Sequence, residues 1–70
     1  MYDYSKLRGR IIEKYGSYTA FAEALGVSKT VVSMKLNNES GFTRDNIWEW
    51  ANLLDIPEHD FGLYFFCKAT

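Results

Sequence analysis

Residues 24–38, ALGVSKTVVSMKLNN, decide the fold. Leu25 closes an apolar helical stripe that begins at Phe21 and Ala22. Gly26 suits the left-handed turn that ends a helix, and Ser28 is a favoured cap for the next. Val27, just before that cap, pairs with Val32 as a hydrophobic staple, and Leu36 lies one turn further on. The connection is only three residues, Gly26-Val27-Ser28, with Val27 expected to plug the core beneath it. Ala22 is small enough for the second helix to approach closely. These are the demands of a tight helix-turn-helix whose second helix faces outward.

The flanking sequence supplies the rest of a bundle. A first helix is expected after Asp3 as its cap, with Tyr2 and Leu7 as a staple. Leu7 and Ile11, joined by Ile12 and Tyr15, make its stripe, and Gly16 ends it. Ser17 caps the second helix. Asn37 to Gly41 is turn chemistry. A fourth helix follows Thr43, with Phe42 and Ile47 as a staple and Ile47, Trp50, Ala51 and Leu54 at i, i+3, i+4 and i+7. Pro57 opens a short final helix with Glu58 and Asp60 behind it. A strand remains open only at Leu63–Phe66. The expectation is an all-α, compact bundle of four to five short helices forming one domain over 1–70. Its motif covers 18–37, and an aromatic tail, 57–70, packs on the core or in an interface.

Seventy residues, 47% of them apolar, can build a small core without a disulfide or metal. Cys67 has no partner cysteine, and a reduced, partly buried thiol is expected. His59 stands alone, so no metal site and no cofactor is foreseen. Glu58 and Asp60 flank it without a nucleophile, ligand set or phosphate loop, so the chain does not read as an enzyme. No 18-residue apolar run exists and MYDYSKLRGR lacks a signal-peptide core; a cytoplasmic protein with no membrane partner is expected. Charge is uneven. Residues 1–44 hold seven cations against four acids, a net of +3, while residues 45–70 hold Lys68 against five acids, a net of −4.

Residues 18–38, YTAFAEALGVSKTVVSMKLNN, resemble the helix-turn-helix of the Cro/phage-repressor family. The resemblance rests on Ala22, Gly26, Val27, Ser28, Val32, Ser33 and Leu36, in a framework spanning roughly residues 4–56. The chain, from SKLRGRIIEKYG to YFF, is similar to small Cro-like proteins of temperate phages of Gram-positive bacteria. That resemblance implies a lambda-repressor-like fold and a DNA-binding repressor of transcription. Some relatives of that kind modulate a lysogeny repressor by binding it. Two positions depart from the family. Tyr18 stands where a glutamine commonly braces phosphate, and the outer face of the third helix shows Val31 and Met34 without an Arg, Gln or Asn.

Two readings follow. In the first, the chain binds a double-stranded DNA operator as a homodimer. Ser28, Lys29, Thr30, Ser33 and Met34 then meet base edges, and Ser17, Tyr18, Thr19, Lys35, Asn37, Asn38, Thr43 and Arg44 meet phosphates. Arg8 and Arg10 are weaker phosphate candidates. In the second, the chain is a protein-interaction modulator, of antirepressor or antitoxin type, that binds another phage repressor. It does so through the helix-turn-helix or through an aromatic surface of Trp48, Phe61, Tyr64, Phe65 and Phe66.

Overall fold

The structure, a computed structural model, describes residues 1–68. Five α-helices follow in order: α1 Ser5–Tyr15, α2 Tyr18–Leu25, α3 Lys29–Leu36, α4 Arg44–Leu54 and α5 Phe61–Phe65, the last preceded by a 3-10 turn, Glu58–Asp60. Among the described residues there is no strand; one antiparallel bridge, Tyr2 to Lys68, ties the two ends together. The segment left open between strand and helix, Leu63–Phe66, falls mostly within α5.

Local chemistry sets the helix limits. Ser17 Oγ accepts from the Ala20 N–H at 3.1 Å and Ser28 Oγ from the Val31 N–H at 3.4 Å. Thr43 Oγ1 accepts from the Asn46 N–H while Asn46 Oδ1 accepts from the Thr43 N–H, each at 3.1 Å, closing a reciprocal capping box. Gly16 and Gly26, at φ 81° and 79°, end α1 and α2 in the left-handed conformation. α1 starts slightly later than expected. Its N-cap is Tyr4, with no side-chain cap bond; Asp3, expected in that role, lies one residue earlier, where its carboxylate accepts from the Ser5 N–H at 2.9 Å and the Ser5 hydroxyl at 2.6 Å. Those bonds hold the Asp3 carboxyl below the ordinary aspartate value.

The core gathers Leu7, Ile11, Phe21, Val32, Leu36, Trp50, Leu54 and Phe65. Phe42 is its wedge, edge-on to Trp50 at 4.8 Å, Phe65 at 5.3 Å and Tyr4 at 5.4 Å between ring centroids. α1 is stitched to the end of α4: Arg10 Nε donates to Leu54 O at 2.8 Å and Tyr15 Oη to Leu53 O at 3.0 Å. Lys14 pairs with Asp55. Three placements differ from expectation. Val27 is 40% exposed rather than a plug, because the Gly26 and Val27 N–H groups close the turn on Ala22 O and Val32 fills the space below. Ile12 lies on the outer side of α1, and Cys67 is exposed rather than partly buried.

Candidate functional site

The outward face of α2 and α3 was expected to carry the DNA contacts, yet most of its polar groups already have partners within the chain. Ser17, Ser28 and Thr43 cap helices. Lys35 is buried: its Nζ donates to Gly41 O at 2.8 Å and to Asn46 Oδ1 at 3.1 Å, 5.5 Å from the centre of the Phe42 ring. It is an internal fastener between α3 and the start of α4, not a phosphate contact. Arg8 reaches across from α1, donating to Leu36 O at 2.9 Å, to Asn37 Oδ1 at 2.8 Å and to Tyr18 Oη at 3.4 Å. That network engages Arg8, Asn37 and Tyr18 together. Asn38 grips the backbone of Tyr2 through both ends of its amide.

Thr19, Lys29, Thr30, Met34 and Arg44 remain exposed, with Ser33 half-buried. Their neighbours on the α3 side are Val27 and Val31, both exposed and apolar. Two exposed cations, Lys29 and Arg44, are a small complement for a polyanion. Each neutralised phosphate contributes roughly −0.9 to the slope of log affinity against log salt, and specific readers commonly neutralise about 6–10. Two per subunit, four in the expected dimer, fall short of that.

A second surface has the opposite character. On α4 the residues Arg44, Asp45, Trp48, Glu49 and Asn52 are exposed, the outer complement of the buried Ile47/Trp50/Ala51/Leu54 stripe. Trp48 is 46% exposed and stands edge-on to the half-buried Phe61 ring, 5.1 Å between centroids. Leu63, on α5, is 53% exposed, and Glu58 is exposed in the turn leading to it. Aromatic and aliphatic surface thus accompanies carboxylates in the acidic half of the chain, a composition suited to a protein partner.

The expected aromatic surface does not hold together as one patch. Phe65 is 2% exposed and belongs to the core, and Tyr64 is half-buried. Phe66 is exposed, but it stands with Tyr2 and Met1 at the rim of a separate groove floored by Tyr4 and Phe42. Trp48 and Phe61 remain paired at the surface, and Phe61 in turn meets the buried Phe65 ring at 5.8 Å. Among the described residues no three His, Cys, Asp or Glu side chains converge as metal ligands.

Sequence reasoning missed the internal roles of Lys35 and Arg8. The signal for Lys35 is its register: Val32, Lys35 and Leu36 stand at i, i+3 and i+4, on the buried side of α3. For Arg8 no local signal exists, because its partners lie 10, 28 and 29 residues away.

Comparison with known proteins places this geometry. Residues 1–68 match the family described as "Protein of unknown function (DUF739)". The fold is similar to the solution structure of the modulator of repression (MOR) of the temperate bacteriophage TP901-1 from Lactococcus lactis. The TM-score is 0.83 at 42% identity, covering 93% of this chain and 88% of that one. No curated protein gives a significant match. These matches overturn the kinship with the Cro/phage-repressor family. Of the positions that carried that resemblance, Ala22, Gly26, Val27, Ser28, Val32, Ser33 and Leu36, all but Ser33 answer turn, cap and packing requirements that any tight helix-turn-helix meets whatever its partner.

Proposed function

Because the chain belongs to the DUF739 family, we propose that it is a modulator of a phage repressor that acts by binding the repressor protein, not by reading an operator. The observation that carries this reading is the 42% identity to a modulator of repression, sustained over nearly the whole chain. The side-chain network supports it. Lys35, Arg8, Asn37 and Asn38 bond within the chain, which leaves on the outward side the exposed cations Lys29 and Arg44, the threonines Thr19 and Thr30, and the apolar Val27, Val31 and Met34.

The docking face in this proposal is the acidic, aromatic surface of α4 and α5. A repressor that holds DNA must present cationic groups, and the exposed Asp45 and Glu49 on the Trp48 helix, with Glu58 in the turn before Phe61, complement them. Trp48 supplies the large, half-exposed anchor that such interfaces concentrate their energy on.

The test uses the purified chain and the repressor encoded in the same genome. They are expected to co-elute in gel filtration. Trp48→Ala and Glu49→Lys should each weaken the complex at least about tenfold, the scale of an interface hot spot. Both residues are exposed, so circular dichroism should stay native. Absence of a complex, with protection of a two-fold DNA site by the chain alone, would overturn the proposal.

A further inference from the structure

Tyr2 is held on both edges. Its N–H donates to Asn38 Oδ1 and its C=O accepts from Asn38 Nδ2, each at 2.9 Å, the pairing a neighbouring strand would make. On the far edge it bridges Lys68, and the Asp3 N–H donates to Cys67 O at 2.7 Å. All five residues are exposed; burial along the chain begins only at Tyr4. The Tyr2 ring touches Tyr4 and Phe66, with centroids 6.0 and 6.3 Å away. Beside it lies a groove of about 530 Å³ whose walls include Met1, Tyr2, Asn38 and Phe66 and whose floor includes Tyr4, Phe42 and Phe65.

Asn38 is itself fixed. It sits at φ 62°, a left-handed conformation that asparagine adopts more readily than most residues. The turn around it is closed by the Glu39 and Ser40 N–H groups, both donating to Met34 O at 2.8 and 3.2 Å. The amide is therefore presented by a turn anchored on α3, and the N-terminal segment is what can leave.

We propose that residues 1–3 form a strap, latched by the Asn38 side chain, which opens as one unit while the helices stay folded and widens the groove onto Tyr4, Phe42 and Phe65. Among the described residues, opening breaks the two Tyr2–Asn38 bonds, the Tyr2–Lys68 bridge with its Asp3–Cys67 bond, and the contacts of the Tyr2 ring with Tyr4 and Phe66. No buried side chain of the strap has to leave the core, which places this motion at the low end of local stability. The two edges are coupled because Tyr2 and Asp3 are adjacent. Without the latch, the segment is left to its other edge, the Tyr2–Lys68 bridge with the Asp3–Cys67 bond, and to the Tyr2 ring contacts. This device is independent of the repressor-binding proposal and survives its failure.

Amide hydrogen exchange of the full chain tests it, read as the protection of Asp3 relative to Ile11. In the wild type, Asp3 is expected to exchange at least tenfold faster than Ile11, as local opening requires. Asn38→Gly keeps the left-handed turn and removes the amide; it should lower the Asp3-to-Ile11 ratio at least a further tenfold. Asn38→Asp keeps the acceptor and loses the donor, and should fall between. Chemical shifts of the Tyr4 and Phe42 rings should move in the same order. Equal exchange of Asp3 and Ile11 in the wild type, or an unchanged or higher ratio in Asn38→Gly, would overturn the strap.

Discussion

Lys35 shows how one side chain decides between readings. A lysine beside an outward helix looks like a phosphate contact, but here its stem runs into the core and its ammonium satisfies Gly41 O and Asn46 Oδ1. Asn46 in turn belongs to the capping box of α4, so Lys35 fixes the start of that helix relative to α3. Hydrogen bonds to a charged donor contribute roughly 1.5–3 kcal/mol, partly offset when an apolar chain of similar length replaces it. Lys35→Met should therefore destabilise the fold by about 1–3 kcal/mol, seen as a lower urea midpoint at unchanged slope. A shift below about 0.5 kcal/mol would mean that Lys35 is in effect a surface residue. Lys29, exposed on the same helix, serves as the control; Lys29→Met should change stability by less than about 0.5 kcal/mol.

Among the elements, helix identity was legible where caps and periodicity agree. Ser17, Ser28 and Thr43 are caps in the structure as in the sequence, and Gly16 and Gly26 end their helices with positive φ. The α2–α3 turn makes a sharp prediction. A Cβ at Gly26 would meet nothing within 4 Å, so Gly26→Ala carries only the backbone penalty of a left-handed alanine, roughly 1–2 kcal/mol. Gly9, exposed within α1 and equally unobstructed, should respond oppositely; Gly9→Ala should stabilise by roughly 0.5–1 kcal/mol. Thermal melts of the two variants should move in opposite directions. The α1–α4 junction predicts a pH dependence. The Lys14 ammonium bonds to the Asp55 carboxylate and holds its carboxyl below the ordinary 3.8. The native state then binds that proton less tightly than the unfolded chain, so the contribution is complete above pH 3.8 and is lost as pH falls through the lower native value. Asn tolerates the left-handed φ of 54° at this position, so the stability gap between wild type and Asp55→Asn should be widest at neutral pH and narrow below 3.8. A gap that does not change with pH would contradict this assignment.

At the scale of the whole molecule, the bundle, its helix-turn-helix and the uneven charge could be read from residue spacing, because each follows from neighbours a few positions apart. The choice between the two expected partners, operator DNA or another repressor, could not. Turn, cap and core positions report how α2 and α3 pack, and they are indifferent to whether the finished surface meets DNA or protein. The distinction lies in long-range bonds, Arg8 to Leu36 and Asn37 and Asn38 to Tyr2, which occupy groups that look available in the sequence. It lies also in the packing of Phe65 into the core, which leaves Trp48 and Phe61 as the pair on the acidic face. If that face meets a basic partner, raising the salt should weaken the complex, since exposed ion pairs are screened within about 10 Å at 0.1 M. The most direct measurement is a pair of titrations of the fluorescently labelled chain in one low-salt buffer. One uses the repressor encoded in the same genome, the other the DNA upstream of the chain's own gene. Our reading predicts saturable binding to the repressor, diminished by Glu49→Lys and by salt, and no sequence-specific binding to the DNA. Saturable, sequence-specific binding to the DNA by the chain alone, with no binding to the repressor, would contradict it.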